Sequence, residues 1–570
     1  MKTDILVRLG YSQIFTQRRT IKSLQKEVDI VDSLILLSAI NKYEYKLREK
    51  DNTELHFILS EWLIDDNPDL RNKIIGAYAK HSEKFVINNK LQAKLKTIVL
   101  INRISTLRVI EILCSISQID TQGKAITKKR SRENLLKLYL LISDEIAERQ
   151  DSIFKQYYSK NPSYFDEIHF HLFFGITQPL HHHYRVDALQ PEIYKFLLFE
   201  KWFRANPKYS KLLSDYIVHI GLENWYQYFN DVFQLSKIAT TSNIVSLEDY
   251  PVIKTLVEHL KINTSNNPSW DEFVQIRKSP LFKISEHKYA VLDFEFLLNK
   301  FFSSLYHDIL RYSKENGFTN FAQDYVKEFV ELILLENVFQ TSFGKSYIQF
   351  PEHRIKQLGG KRIENISLPD YYIRNGNNII MFECKNSFLS NNEKISLNTH
   401  KLLKEIQDKF YFTINSKTKK KRHKGILQLL DYVINSMNGQ YQFFDRVKKP
   451  ERSNYFPILI VLDHSFTSLG FTQLLNYYFQ EELKKSSIKN KDKVKPITII
   501  HIDDFFKHQV RLKNLKKLIV KYHKYIKKNE LFDSMISFSD YLSIEEFPKS
   551  LNPKRENIKH ILEDSLLPPE

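Results

Sequence analysis

The chain has 570 residues, of which 42% are hydrophobic and 13% aromatic, and this is enough to bury more than one packed core. Only 13 glycines, 17 prolines and two cysteines occur, which excludes a fibrous or low-complexity chain, a disulfide framework and a cysteine-rich zinc site. The formal net charge of +18 favours an acidic polymer as partner, and nucleic acid is the commonest one. The lysine-, asparagine- and isoleucine-rich composition of an AT-rich genome is the alternative explanation of this charge.

The N-terminus lacks the long apolar core of a signal peptide, and no uncharged apolar run has the length of a membrane span. We therefore expect a cytoplasmic protein without a membrane partner.

Residues 1–275 are predicted to be mostly helical, because apolar residues recur at helical spacing in 30–47, 95–116 and 133–150. The turn-rich stretch Asn263–Trp270 is the candidate domain boundary. We expect this first region to recognise a target or to regulate the second.

Strands alternate with helices in residues 276–510, which predicts an α/β domain. Two short strands are expected in 279–293, helices in 297–316 and 320–339, and two apolar strands in 455–463 and 495–503. A basic helical tail is predicted over residues 511–570.

Two segments carry dense positive charge. The run 417–424 holds six basic residues, and the helix predicted over 511–528 holds eight and no acid. Phosphate-backbone binding is the functional interpretation of both, and a solvated surface is the alternative. The expected nucleic-acid-binding residues of the first segment are Lys417, Lys419, Lys420, Lys421, Arg422 and Lys424.

Residues 368–387 have the pattern of a β-hairpin around the turn-forming residues 375–378. With a four-residue loop, Arg374 pairs with Ile379, and counting outward places Asp370 opposite Glu383. Opposed Cβ atoms lie about 4.5–5.5 Å apart, so the two carboxylates repel unless a cation or a proton lies between them. A hard divalent ion between the carboxylates would remove this repulsion. The alternative interpretation is a surface hairpin whose strand end is charged and which binds no metal ion.

Glu383 and Lys385 share one face of the second strand, while Cys384 points away and leaves its backbone carbonyl nearby. Together with Pro369 and Asp370, these residues resemble the signature of the PD-(D/E)XK nuclease superfamily. The resemblance implies a restriction-endonuclease-like α/β fold, with a mixed sheet flanked by helices, over about residues 318–510. It also implies Mg²⁺, with Mn²⁺ as a substitute, bound by Asp370, Glu383 and the Cys384 carbonyl, and a Lys385 ammonium group that orients water or stabilises negative charge.

Two flanking helices extend the resemblance. In 424–437, Gln428 and Tyr432 lie four residues apart beside an apolar stripe, and they resemble the Q-x-x-x-Y motif of RecB-like members, whose residues contact the active site or the DNA backbone. Upstream, Asp324, Glu328 and Glu331 form an acidic stripe at helical spacing. The family places a metal-proximal acid here, and Asp324 or Glu328 is the expected residue; a solvated acidic face is the alternative.

We therefore expect a magnesium-dependent deoxyribonuclease with a role in prokaryotic host defence or restriction. DNA is the expected partner, and other defence-system subunits or a second copy of the chain are further candidates. Two alternatives remain open at this stage: a non-catalytic nucleic-acid-binding or assembly protein with a degenerate nuclease fold, and an RNA-directed nuclease.

Overall fold

The computed structural model describes residues 6–17, 19–47, 53–63, 67–82, 97–115, 126–157, 163–177, 189–263, 270, 272–364, 366–529 and 534–544. The chain divides into two compact units, each built from separate stretches of sequence. The first unit comprises Met1–Ser152, His183–Glu192 and Lys208–Tyr312. The second comprises Ile153–His182, Ile193–Pro207 and Ser313–Glu570.

The first unit is mainly helical. Its described helices are Ile21–Leu24, Ile30–Leu47, Thr53–Phe57, Ile58–Trp62 (a π-helix), Pro68–Ser82, Arg103–Cys114, Leu212–His219, Trp225–Thr241, Lys254–His259, Val274–Lys278 and Phe294–Leu298. The boundaries between the units fall near or within three further helices, Lys128–Tyr157, Leu189–Ala205 and Ser303–Glu315.

Five short strands accompany these helices: β1 (Leu6–Arg8), β2 (Thr97–Val99), β3 (Ile244–Ser246), β4 (Leu281–Lys283) and β5 (Lys288–Val291). Strands β1 and β2 pair in parallel, and β3, β5 and β4 form an antiparallel three-stranded sheet in that order.

A buried ion pair helps to fix the first unit. Asp293 accepts hydrogen bonds from Arg103 Nε at 2.9 Å and from Asn41 Nδ2 at 2.9 Å, and its side chain also caps the helix Phe294–Leu298. A buried carboxylate needs such partners because desolvation without them is costly.

The second unit is built on a mixed five-stranded sheet with the order β12–β11–β8–β7–β6. The strands of this unit are β6 (Ile348–Pro351), β7 (Tyr371–Asn375), β8 (Asn378–Lys385), β9 (Phe412–Ile414), β10 (Lys421–His423), β11 (Asn454–Val461) and β12 (Thr498–His501). Strands β8, β11 and β12 are parallel, whereas β7 is antiparallel to both of its neighbours. The carboxyl ends of β8, β11 and β12 therefore lie at one edge of the sheet.

Helices surround this sheet. They are Tyr164–Ile176, Phe321–Asp324, Tyr325–Leu334 (a π-helix), Leu335–Phe343, Glu352–Gly359, Asn391–Ile395, Thr399–Phe410, Ile426–Met437, Phe471–Lys485, Ile502–Lys507, Gln509–Leu512, Leu515–Lys528 and Phe538–Ile544. The central strands β8 and β11 are buried along nearly their whole length, which explains their continuous apolar sequence.

The predicted mixed α/β class of the C-terminal half is confirmed by this sheet. The domain ranges differ from the predicted 1–275, 276–510 and 511–570. The strands expected in 279–293 exist as β4 and β5, but they pair with β3 in the first unit and not with the five-stranded sheet. Most of the predicted boundary, Asn263–Trp270, lies outside the described residues.

Two other segments depart from the predicted organisation. The start of 95–116 is strand β2, where the three β-branched residues Thr97–Val99 favour extended backbone. The basic helix of the predicted tail is part of the second unit, since Leu515 and Ile519 are buried and Tyr522 Oη donates to the Ile536 carbonyl at 2.8 Å.

No helix within the described ranges combines the length and the apolar character needed to cross a membrane.

Helix Tyr164–Ile176 offers a test of this division of the chain. Phe173 is fully buried in the hydrophobic core of the second unit. Replacement by alanine is expected to lower the free energy of unfolding of this unit by about 3–5 kcal/mol, because a cavity takes the place of the ring. Urea denaturation of the full chain measures the loss. Tyr164→Ala, on the same helix with 58% of its side chain exposed, is the control and should change stability by less than about 1 kcal/mol. Equal losses in the two variants would contradict the placement of this helix in the core.

Candidate active site

The β7–β8 hairpin sets the geometry of the site. Arg374 pairs with Ile379, which confirms the predicted register, and Asn375 additionally pairs with Asn378, so only two residues form the turn. Gly376 takes a φ of 58° there, a left-handed conformation that favours glycine. Continuing the register by one position places Asp370 opposite Glu383, and the Asp370 amide donates to the Phe382 carbonyl at 3.1 Å.

Glu383 accepts one hydrogen bond at each of its carboxylate oxygens. Lys385 Nζ lies 2.5 Å from Oε1, and the Tyr432 hydroxyl donates to Oε2 at 2.5 Å. Only 2% of the Glu383 surface is exposed, so both contacts operate in a medium of low dielectric constant. Burial disfavours the charged lysine, but the adjacent Glu383 carboxylate outweighs this effect and raises the pKa of Lys385.

Gln428 completes this network from the helix Ile426–Met437. Its side-chain oxygen accepts hydrogen bonds from Lys385 Nζ at 3.0 Å and from the Gly425 amide at 2.9 Å. Gly425 has a φ of 38°, and a Cβ at this position would lie 2.7 Å from the Phe410 carbonyl oxygen. Only glycine therefore allows the helix to begin close enough for Gln428 and Tyr432 to reach β8.

A backbone hydrogen bond holds the Asp370 side chain, in addition to the strand register. Its Oδ2 accepts a hydrogen bond from the Cys384 amide at 2.6 Å. Burial, together with the Glu383 and Glu331 carboxylates, raises the pKa of Asp370 well above its usual value. Burial likewise raises the pKa of the Cys384 thiol, so this thiol is a poor nucleophile. A contribution of the Cys384 carbonyl to a metal site stays a prediction.

Glu331, the third acid of the upstream stripe, interacts electrostatically with this centre. Burial, followed by the Glu352 and Glu383 carboxylates, raises the pKa of Glu331 to about 7. Of the two expected residues, Glu328 accepts a hydrogen bond from Asn206 Nδ2 at 2.6 Å, and Asp324 ends the preceding α-helical turn. A place for either of them in a metal site stays a prediction.

The backbone of this segment differs from the α-helix that the sequence predicted. Tyr325–Leu334 is a π-helix, whose hydrogen bonds join residues five apart and whose turns hold more residues than those of an α-helix. The stripe of Asp324, Glu328 and Glu331 was predicted with α-helical spacing. The wider turn places these three residues out of that alignment.

Glu352 was missed by the sequence analysis. It follows β6 directly, the Pro351–Tyr371 pair places it next to Asp370, and its amide donates to the Asp370 carbonyl at 3.0 Å. Its carboxylate also pairs with Lys356 at 2.6 Å. No motif marks this position. Only knowledge that β6 pairs with β7 would have identified it.

The basic segment 417–424 lies on a two-stranded ribbon, β9–β10, whose tip is exposed. His423 Nδ1 lies 2.7 Å from Asp431 Oδ2, which ties the ribbon to the helix that carries Gln428. Lys424 follows β10 directly, at the end of the ribbon opposite its tip. Burial there, and then the charges of Arg422 and Lys385, lower the pKa of Lys424. The remaining predicted binding residues are exposed, namely Lys417, Lys419, Lys420, Lys421 and Arg422.

The structure thus brings together Asp370, Glu383, Lys385, Gln428 and Tyr432, with Glu331 and Glu352 nearby. Asp370, Glu383 and Glu331 are three neighbouring carboxylates, and the pKa values of Asp370 and Glu331 are raised. A hard divalent cation, which prefers oxygen ligands, would neutralise such a group. These three carboxylates are therefore candidate oxygen ligands, but among the described residues only His464, His501 and Asp503 place three ligand atoms within 4.8 Å of one another.

The raised pKa of Glu331 gives a pH dependence of stability. Its pKa is 4.5 in the reference state and about 7 in the folded protein, so the folded protein binds more protons between these values and its stability falls as pH rises through this window. In EDTA, Glu331→Gln should remove this loss of stability. Compared with the native protein, the second unit of the variant should gain about 1–2 kcal/mol more stability at pH 8 than at pH 5. Urea denaturation at both pH values measures the effect.

Glu315→Gln is the matched control, because Glu315 is exposed. It should leave the pH dependence unchanged. A native-like fall of stability with pH in the Glu331→Gln protein would contradict the electrostatic coupling.

Comparison of the chain with known proteins finds no matching family model, no matching curated protein and no matching solved structure. The interpretation of the site consequently depends on its residues and their geometry.

Proposed function

We propose that this chain is a metal-dependent nuclease that hydrolyses phosphodiester bonds in DNA, with its second unit related in fold to the restriction endonucleases. The observation that carries the proposal is the opposition of Asp370 and Glu383 across the β7–β8 hairpin, with the Lys385 ammonium group 2.5 Å from Glu383. Acids and a cation at one strand end match the requirements of phosphodiester hydrolysis, in which negative charge must be neutralised.

Magnesium is the proposed cofactor, and Asp370, Glu383 and Glu331 are the residues that would hold it. When bound, such an ion activates water and neutralises charge on the phosphate. The chain itself presents Asp370 and Glu383 on paired strands and Glu331 on the helix Tyr325–Leu334.

Lys385 is the proposed cationic catalyst. The Glu383 contact keeps its ammonium group charged, and the Gln428 contact fixes its direction. A fixed charge of this kind stabilises negative charge that develops on a phosphate oxygen. Tyr432 positions Glu383 by occupying its second oxygen, and it is a positioning residue in this scheme.

The ribbon β9–β10 supports nucleic acid as the substrate. Its tip carries Lys417, Lys419 and Lys420, all exposed, and its base is electrostatically coupled to Lys385 through Lys424. A two-stranded ribbon has dimensions that the major groove of DNA accepts, and lysine contacts to phosphates supply affinity without sequence preference. A duplex bound by the ribbon would thus have its backbone near the catalytic lysine.

Site variants test the chemistry. Asp370→Asn, Glu383→Gln and Lys385→Ala are each expected to lower cleavage at least about a thousandfold, because each removes a metal ligand or the charge that stabilises the transition state. Plasmid, linear duplex, single-stranded DNA and RNA are incubated with magnesium or with EDTA, and filter binding reports whether DNA affinity survives.

Asp408→Asn serves as the control, since 39% of the Asp408 side chain is exposed and it pairs only with Lys404 among the described residues. It should cleave like the native protein. Full activity in Glu383→Gln would refute the nuclease assignment. DNA binding without any cleavage by the native protein would favour a non-catalytic nucleic-acid-binding protein, and cleavage of RNA alone would favour an RNA-directed nuclease.

The ribbon is tested separately. Replacing Lys417, Lys419 and Lys420 by glutamine should weaken binding to all DNA sequences about equally and flatten the slope of log K against log salt by roughly one unit per lost phosphate contact. Hydrolysis of the small diester bis(p-nitrophenyl) phosphate should be unchanged, because it requires only the catalytic centre.

Lys237→Gln, Lys254→Gln and Lys314→Gln combined make the same change of charge at exposed positions elsewhere. This control protein should keep the native slope. Identical slopes for the ribbon variant and the native protein would remove the ribbon from the DNA interface.

A further inference from the structure

A second cluster of potential metal ligands lies at the carboxyl edge of the same sheet. His501 ends β12, Asp503 is the second residue after it, and His464 is the third residue after β11. The register pairs Lys385 with Val461 and Val461 with His501. His501 is thus two strands away from the catalytic lysine, about 10 Å at ordinary strand spacing.

The three side chains lie close together. Asp503 Oδ2 lies 3.7 Å from His464 Nε2 and 3.9 Å from His501 Nδ1, and one ligand atom from each residue lies within 4.8 Å of the others. Ligands of a tetrahedral zinc ion are about 3.3 Å apart, given bond lengths of about 2.0–2.1 Å. The two distances to Asp503 Oδ2 are about half an ångström longer than this.

Groups behind the cluster orient two of the three side chains. His501 Nε2 lies 3.0 Å from the Leu462 carbonyl, a contact that requires the proton on Nε2 and leaves the Nδ1 lone pair directed at Asp503. Lys195 Nζ lies 3.2 Å from Asp503 Oδ1 and leaves Oδ2 towards the histidines. Metal-binding histidines commonly donate their second nitrogen to a carbonyl in this way.

We propose that His464, His501 and Asp503 bind a borderline transition-metal ion of the Zn²⁺ class, at a site separate from the catalytic carboxylates. Two imidazoles and one carboxylate suit such an ion. Magnesium and calcium are disfavoured, because they require several oxygen ligands and Lys195 already offsets the single negative charge. Three protein ligands leave a fourth position for water or another ligand.

Binding requires a local rearrangement. The rings of His464 and His501 are stacked, with centroids 3.5 Å apart and planes 12° from parallel, and a metal cannot lie in the plane of both. His464 has 40% of its side chain exposed, so its ring has room to turn, whereas His501 is buried. His501 Nδ1 also accepts the Asp503 amide proton at 3.1 Å, and the metal would replace this contact.

Cobalt(II) titration of the full chain tests the site, because tetrahedral Co²⁺ has a strong visible absorption and Zn²⁺ displaces it. The native protein and Asp370→Asn should both develop this spectrum, since the site is separate from the catalytic carboxylates. His464→Gln should lose it, with affinity reduced at least about a hundredfold. This readout requires neither nucleic acid nor cleavage, so it can fail or succeed independently of the proposed nuclease activity.

His287→Gln removes an exposed histidine of the first unit and is the matched control. It should retain the spectrum. The proposal is overturned if the native protein develops no tetrahedral spectrum, if His464→Gln retains it, or if Asp370→Asn or His287→Gln loses it equally. Thermal unfolding without metal should show that His464→Gln is folded, and a second variant, Asp503→Asn, should show the same loss of Co²⁺.

Discussion

Electrostatic repulsion between carboxylates held on adjacent strands is the constraint around which the second unit is organised. Asp370 and Glu383 cannot move apart, because the Gly376 turn and the antiparallel pairing of β7 with β8 fix their register. A slip of one residue would turn every side chain of one strand to the opposite face and bury charges in the core. The same apolar pattern that selects the fold thus forces the acids together.

The protein relieves this repulsion by three means that are visible in the structure. Lys385 and Tyr432 each stabilise one oxygen of Glu383, the Cys384 amide supports Asp370, and the raised pKa values indicate that Asp370 and Glu331 retain protons where ordinary carboxyls do not. Each of these is a partial compensation. The cation of the proposed function would offset the remaining electrostatic cost.

The sequence was most informative where local spacing determines geometry. Turn residues and strand alternation sufficed to predict the hairpin register. Helical periodicity sufficed to place Gln428 and Tyr432 on the same side of a helix. The sequence was less informative where the outcome depends on non-local or unusual backbone: the π-helix replaces the predicted α-helical spacing of the upstream stripe, and Glu352 became visible only through the β6–β7 pairing. Likewise, no local pattern announces that β3 pairs with β5 across the expected domain boundary, or that Tyr164–Ile176 belongs to the second unit.

The interleaving of the two units along the chain has a consequence for protein synthesis. The first unit lacks strands β4 and β5 until the chain has passed Val291. In the second unit, strand β8, which carries Glu383, lacks its parallel neighbour until β11 is complete at Val461. Because translation proceeds from the N-terminus, a ribosome-bound chain cannot complete the sheet around Asp370 and Glu383 until Val461 has been made. The order of the segments thereby delays the proposed activity until the regions that precede it have already been made.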